Sequence, residues 1–106
     1  MKNKINAVRQ GDVLLVRVNK LSKARVLPSE SGRLILARGE VTGHDHSVAM
    51  SDAALMEANG ITYLDVQAAM TMLEHPEHAP IALKRGMYRV VRQREYHPQA
   101  IRNVMD

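Results

Sequence analysis

Four histidines have the residue type and the spacing to do chemistry. The segment His44-Asp-His46 places two imidazoles at positions i and i+2, and on an extended strand such residues project from the same face. The segment His75-Pro-Glu-His78 reads as a turn, and a β-turn brings its first and fourth residues within about 7 Å. Because imidazole is a common ligand of zinc, nickel and iron, the two pairs predict a divalent-metal site. The sequence does not distinguish among these metals.

Two glutamates beside the second pair are candidates to support such a site. Glu74 or Glu77 would supply a carboxylate ligand, or accept a hydrogen bond from an imidazole N–H and so fix which nitrogen faces the metal. A site with an open coordination position would activate water, whereas a closed site would be structural. The histidines could also form only hydrogen bonds, or act without metal as an acid–base cluster that responds to pH. These alternatives remain open.

Charge is distributed unevenly along the 106 residues. The chain has a net charge of +4, from 15 basic and 11 acidic residues. Residues 39–83 hold seven of the acidic residues, four of the five histidines and no Lys or Arg. An acidic stretch that bears histidines gives a cation a favourable local potential. The same blocks would also arise if oppositely charged surfaces pair with each other in the fold.

Composition excludes several classes of protein. The absence of cysteine rules out a disulfide framework, a thiolate nucleophile and a cysteine-ligated zinc site. No apolar run approaches the roughly 20 residues that span a bilayer, and residues 1–6 lack the apolar stretch of a secretory signal. We therefore expect a cytoplasmic protein without membrane association. The length predicts a single domain over residues 1–106.

Hydrophobic alternation predicts an all-β fold, a small barrel or sandwich of about seven short strands with a short C-terminal helix. The predicted strands cover residues 12–18, 33–38, 40–50 with a break near Gly43, 61–68, 71–75, 81–83 and 87–96, and a further short run from Ala53 precedes Asn59. Asn59-Gly60 predicts a tight hairpin whose two turn residues both have positive φ. A helical turn from Ser51 to Gly60 is the competing interpretation, because Ala, Leu, Met and Glu favour helix.

The remaining segments are predicted to be connections and ends. Residues 1–10 are expected to be a flexible lead, and residues 19–32 a long loop. Lys84-Arg-Gly86 is expected to be a turn. The helix is expected at Pro98–Met105, because proline is accepted at the first helical position.

Basic residues of the last predicted strand suggest a second functional surface. Arg89, Arg92, Arg94 and Tyr96 would form a face that contacts a partner. Such a face could stack on and grip single-stranded nucleic acid. Only three aromatic residues are present in the chain, however, and the acidic middle would repel a phosphate backbone. We therefore expect a protein partner or a second copy of the chain, with nucleic acid as the less favoured alternative. A charged edge strand that resists pairing is the structural alternative.

Several short motifs carry a resemblance to known proteins. They are Gln10-Gly-Asp-Val13, Gly39-Glu-Val-Thr-Gly-His-Asp-His46, His75-x-x-His-x-Pro-Ile81, Gly86-x-Tyr-x-Val90 and Gln93-Arg-Glu-Tyr96. Together they resemble a small uncharacterised bacterial family, over nearly the whole chain. The resemblance implies one compact domain and lends no activity.

A second resemblance is to the cupins. Gly39 and His44-x-His46 are similar to the first half of the cupin pattern. The cupin glutamate that should follow is absent, since Ala49, Met50 and Ser51 stand there, and so is the Pro-x-Gly turn of the second cupin motif. A cupin-like protein would be a metal-dependent enzyme that acts on small molecules.

Three functions follow from these observations. The first is a binding or accessory domain with a divalent-metal site at His44, His46, His75 and His78. The alternative is a protein-interaction module of a mobile element or bacterial operon, in which the histidines are purely structural. The third is the cupin-like enzyme. Whether the chain is an enzyme stays open, and a non-catalytic role is favoured.

Overall fold

The computed structural model describes residues 7–21, 23–39 and 43–92, and every regular element in these ranges is a β-strand. The all-β prediction is confirmed. The strands are β1 (Ala7–Gln10), β2 (Val13–Val18), β3 (Arg25–Val26), β4 (Arg33–Ala37), β5 (His46–Ala49), β6 (Ala53–Ala58), β7 (Ile61–His75) and β8 (His78–Arg92). The helix predicted at Pro98–Met105 lies outside the described residues, as do Arg94 and Tyr96.

All pairings are antiparallel, and the strand order is β1-β2-β8-β7-β5-β4, with β6 paired to β7 and β3 paired to β6. One hydrophobic cluster receives side chains from strands on both sides of β8 and β7 in this order. Val13 and Leu15 come from β2, and Leu34 and Leu36 come from β4. The sheet must therefore curl around its core, as expected for a small barrel or sandwich.

The hairpin between β6 and β7 forms as the sequence predicts. Asn59 and Gly60 have φ angles of 53° and 78°, which is the backbone that the two-residue turn requires. Ala53–Ala58 pairs residue by residue with Ile61–Val66. The competing helical turn from Ser51 to Gly60 is therefore wrong, because strand pairing overrides the helix preference of Ala, Leu and Met.

The last two strands are longer than the sequence suggests. Strands β7 and β8 are 15 residues each, so each one joins two of the predicted short strands. The turn expected at Lys84-Arg-Gly86 is wrong, because β8 runs straight through it. The turn at Pro76 and Glu77 is confirmed, and it sets His75 opposite His78.

A bulge near Gly86 explains this difference. Between the pairs Val66–Gly86 and Met70–Lys84, three residues of β7 face the single residue Arg85 of β8. The freed amides of β7 residues 67 and 68 donate to the carbonyl of residue 52, at 2.9 and 3.0 Å. Bulges bend a strand and increase its twist. Beyond the bulge β7 exchanges β6 for β5 as its neighbour, which sets the hairpin tip beside His46.

Two predicted irregular segments contain strands. Ala7–Gln10, within the expected flexible lead, forms β1 and pairs with β2. Arg25–Val26, within the expected long loop, forms β3 and pairs with β6. Both strands are too short for an alternation of apolar and polar residues to be recognisable in the sequence. Within the part of the chain that the structure describes, no helix is long and apolar enough to cross a membrane.

Candidate functional site

The structure brings the four histidines together at one end of the molecule. His46 begins β5, and His75 and His78 flank the β7–β8 turn. His44 lies just before β5 rather than on a strand, so the same-face geometry expected of His44-Asp-His46 does not apply. The ring centroids are 4.3 Å apart for His46 and His75, 4.6 Å for His75 and His78, 6.0 Å for His46 and His78, and 6.1 Å for His44 and His75.

Gln10 fixes the protonation of His46, which is only 3% exposed. The Gln10 side-chain amide nitrogen donates to the carbonyls of Leu73 and Ala79, at 3.0 and 2.9 Å. Its oxygen Oε1 must then accept, and it lies 2.8 Å from Nδ1 of His46. His46 therefore carries a proton on Nδ1, so in the neutral ring Nε2 presents a lone pair. One glutamine joins β1, the hairpin tip and the buried imidazole.

The lone pair of His46 faces a carboxylate. Nε2 lies 3.3 Å from Oδ1 of Asp12, while Oδ2 of Asp12 lies 3.7 Å from Nε of Arg92. Burial is the main cause that lowers the pKa of His46 below 6.5, and His75 lowers it further, whereas Asp12 raises it. Two acceptors that face each other at this distance repel unless a proton or another cation lies between them.

The other three rings have different surroundings. Nδ1 of His75 accepts the backbone N–H of Glu77 at 3.0 Å, which places the proton of the neutral ring on Nε2. Nδ1 of His44 lies 3.6 Å from the Glu77 carboxylate. His78 is exposed, and no hydrogen bond within the described ranges engages its ring.

Gly11 permits this close packing. Its φ of 60° belongs to the left-handed region that favours glycine. A Cβ at this position would lie 2.7 Å from Nε2 of His78 and 3.3 Å from Cε1 of His46. The turn between β1 and β2 can therefore approach both rings only because residue 11 has no side chain.

The histidines do not form a ready chelate as they stand. Among the described residues no group of three or more His, Cys, Asp or Glu side chains is arranged to hold a metal ion. At His46 and His75 a hydrogen bond engages Nδ1 of each ring and leaves Nε2 as the nitrogen that faces other groups. Glu74 accepts a hydrogen bond from Arg33 at 3.1 Å, and the carboxylate of Glu77 faces His44.

A cleft of about 510 Å³ lies beside His75, which is within the usual range for small-molecule sites. Its lining combines the apolar Ile35, Pro76 and Pro80 with charged groups. Arg33 crosses it, donating to Oγ of Ser47 at 3.1 Å and to Glu74. A cupin-like enzyme would require a pocket of this kind next to the histidines.

Sequence reasoning missed the residues that organise the site. The sequence places Gln10, Gly11 and Asp12 in a family motif and Asp12 at the start of a predicted strand, but their contact with His46 spans more than 30 positions. Arg92, which is predicted to belong to a partner face, approaches Asp12 and donates to the carbonyl of Arg38. Arg89 alone of the described members of that face is exposed.

Comparisons with known proteins agree with the coarse interpretation. No curated protein and no solved structure matches the chain significantly. A family model described as Domain of unknown function (DUF8820) matches residues 9–93. The matched segment includes all four clustered histidines together with Gln10 and Asp12. The chain therefore belongs to this family of domains of unknown function.

Proposed function

We propose that this domain binds one divalent transition-metal ion between the β1–β2 turn and the tip of the β7–β8 hairpin. The ligands in this proposal are His46, Asp12 and His78, with His75 adjacent. The observation that carries the proposal is the lone pair on Nε2 of His46, which faces Oδ1 of Asp12 at 3.3 Å. Metals with nitrogen and oxygen bonds of about 2.0–2.2 Å separate neighbouring ligand atoms by about 3.0–3.5 Å.

The surroundings of His46 support a role as a metal ligand. A ligating histidine commonly donates its other N–H to an oxygen, which orients the ring and fixes the tautomer. Gln10 Oε1 accepts from His46 in this way, and two further hydrogen bonds hold the glutamine itself. The lone pair therefore has a fixed direction before any ion arrives, which reduces the cost of binding.

His78 is the third ligand because its ring can move. It is exposed and packs against Gly11, close to His46. Rotation about its two side-chain torsions would turn a nitrogen towards the space between His46 and Asp12. His44 is left out, since its Nδ1 faces Glu77 and its ring neighbour is His75.

The experiment uses untagged protein stripped with a chelator, because a polyhistidine tag would itself bind metal. Titration calorimetry with Zn²⁺ and with Ni²⁺ at pH 7.5 should give one ion per chain. His78→Asn and Asp12→Asn should each weaken binding at least about tenfold, as loss of one ligand does. His44→Asn is the matched control and should bind like the parent. Absence of binding, or equal loss in His44→Asn, would contradict the proposal.

A second candidate is a metal-free cluster that responds to protons. Ring centroids 4.3 and 4.6 Å apart bring three imidazoles into mutual electrostatic reach. Protonation of more than one ring would then repel the hairpin tip from β5. This candidate predicts a pH-dependent change in the stripped protein that added metal does not alter. The interaction module and the cupin-like enzyme stay predictions, and the cleft beside His75 is where substrate of the enzyme would bind.

A further inference from the structure

The basic side chains divide into two sets by their partners. Four arginines form ion pairs with carboxylates: Arg25 with Glu57, Arg33 with Glu74, Arg38 with Glu30 and Arg92 with Asp12. Within the described ranges, the other seven basic residues form none: Arg9, Arg17, Lys20, Lys23, Lys84, Arg85 and Arg89. Of these, Arg17, Lys20, Lys84 and Arg85 are exposed and lie near the end of β2 or the bulged part of β8.

Three of these four cations border a cleft of about 500 Å³. Arg17, Lys20 and Arg85 line it together with the carboxylate-bearing Asp65, which is 7% exposed. Three positive charges thus face one buried negative charge. The excess of positive charge in a concave site favours an anionic ligand.

Arg17 is held in place before any ligand arrives. Its Nη2 donates to the carbonyl of Arg85 at 2.6 Å, and its guanidinium carbon lies 5.1 Å from the centre of the Tyr88 ring. Gly86 also helps to place Arg17, because a side chain at residue 86 would overlap the guanidinium. Gly86, which predicts a turn in the sequence, instead leaves the space in which the Arg17 guanidinium lies.

Arg85 is held in the same manner. Its Nε donates to the carbonyl of Gln67 at 3.1 Å, within the bulge. A guanidinium has five N–H donors, and these backbone bonds use one donor of each arginine. The partner of each arginine is an uncharged carbonyl rather than a carboxylate. Both guanidinium groups therefore keep their charge and most of their donors for a ligand.

We propose that this cleft binds the phosphate group of a small phosphorylated molecule. Arg17 and Arg85 would hold the phosphate through forked hydrogen bonds, and Lys20 would add a point charge. Asp65 would accept a hydrogen bond from a hydroxyl group on the remainder of the ligand. The cleft volume is within the usual range for small-molecule sites.

A small molecule fits this cleft better than a nucleic acid does. Single-stranded nucleic acid is held largely by bases that stack on aromatic side chains. The apolar lining of the cleft comes from Val18, Val66 and Met87, which offer no ring. The nearby Tyr88 is 5% exposed and has Arg17 over its face.

Calorimetric titration of the full chain with pyrophosphate and with ribose 5-phosphate tests the proposal. Both should bind, and Arg85→Gln should weaken each at least about tenfold, because it removes a charged donor pair. Arg89→Gln is the control, since Arg89 is exposed on the same strand but does not line this cleft. Thermal unfolding of each variant checks that it is folded.

Three outcomes would overturn the proposal. Neither phosphate binds, or Arg89→Gln weakens binding as much as Arg85→Gln, which would indicate diffuse charge attraction. The third is a single-stranded oligonucleotide that binds ten times more tightly than either small phosphate, which would assign the cleft to nucleic acid. The cleft shares no residue with the histidine site, so its test is independent of the metal proposal.

Discussion

The hairpin tip between β7 and β8 and the bulge near Gly86 differ in how their ionisable side chains are surrounded. At the hairpin tip, His46 is buried and both of its ring nitrogens face partners, Gln10 and Asp12. At the bulge, Arg17 and Arg85 are exposed and donate only to backbone carbonyls. A buried group that is held by a hydrogen bond, as His46 is by Gln10, adds to stability, while charges that are oriented but not neutralised remain available to bind. The comparison therefore predicts that loss of the His46 side chain at the tip lowers stability, and that loss of the Arg17 or Arg85 side chain at the bulge changes anion binding with little effect on stability.

The largest expected effect is on the tip. His46→Ala should lower the free energy of unfolding by about 2–4 kcal/mol, because it opens a cavity and leaves the Gln10 oxygen without its donor. Urea denaturation measures this change. Arg17→Ala, at the bulge, should cost less than about 1 kcal/mol, since an exposed side chain contributes little to stability. Equal losses in the two variants would remove the contrast between the regions.

The next effect concerns the glycine under Arg17. Gly86→Ala should cost about 1–3 kcal/mol, from its φ of 144° and from overlap with the guanidinium. Gly60→Ala is the control, because Gly60 also has positive φ but has no atom within 4 Å of the added Cβ. In an Arg17→Ala background the part of the cost that comes from overlap with the guanidinium should disappear, while the part that comes from the backbone φ should remain. An unchanged cost would mean that Arg17 does not rest on this glycine.

These two positions show what the sequence can and cannot predict. The Asn59-Gly60 hairpin is predictable because its turn chemistry is local and both residues adopt the required φ. Gly86 carries the same local signal, yet its role depends on Arg17, which lies far away in the chain. Asp65 alternates with Leu64 and Val66, a pattern that predicts an exposed strand face, yet Asp65 is buried, since alternation does not reveal a cleft wall.

The candidate site follows the same division. The histidine pairs are recognisable from residue type and short spacing, and the turn at Pro76 sets His75 opposite His78 as expected. Gln10 and Asp12 could not be identified in this way. Their position next to His46 depends on the pairing of β1 with β2 and on the bulge that bends β7 towards β5. No short-range pattern contains that information.

A smaller effect on stability is expected from pH, and it should depend on the hairpin tip but not on the bulge. The pKa of His46 is lowered by burial, so as pH falls from neutrality the unfolded chain takes up a proton before the folded chain does. Stability is therefore fully present above pH 6.5 and is lost as pH falls through the lowered pKa. Asp12, His75 and His78 face the His46 ring, so their charges also affect how steeply stability changes with pH.

Thermal midpoints measured between pH 5 and pH 8 test the effect of pH. His46→Asn keeps a donor near Gln10 but does not titrate, so its midpoint should fall less steeply with acid. Arg85→Gln should keep the slope of the parent, because the bulge contributes no histidine. A slope that His46→Asn leaves unchanged would show that other groups set the acid sensitivity.

The smallest expected effect is that of Arg92, the arginine beside Asp12, on Zn²⁺ affinity. Nε of Arg92 lies 3.7 Å from Asp12 and opposes any second positive charge at that carboxylate. Arg92→Gln should therefore tighten Zn²⁺ binding about threefold to tenfold, as expected for removing a partly screened like charge nearby. Arg89→Gln on the same strand should leave Zn²⁺ affinity unchanged, because Arg89 forms no ion pair with Asp12. Weaker binding in Arg92→Gln would mean that Arg92 orients Asp12 for the metal rather than competing with it. In that case Arg92 would hold Asp12 in position before the metal binds, just as backbone and ring contacts hold Arg17 in position at the bulge.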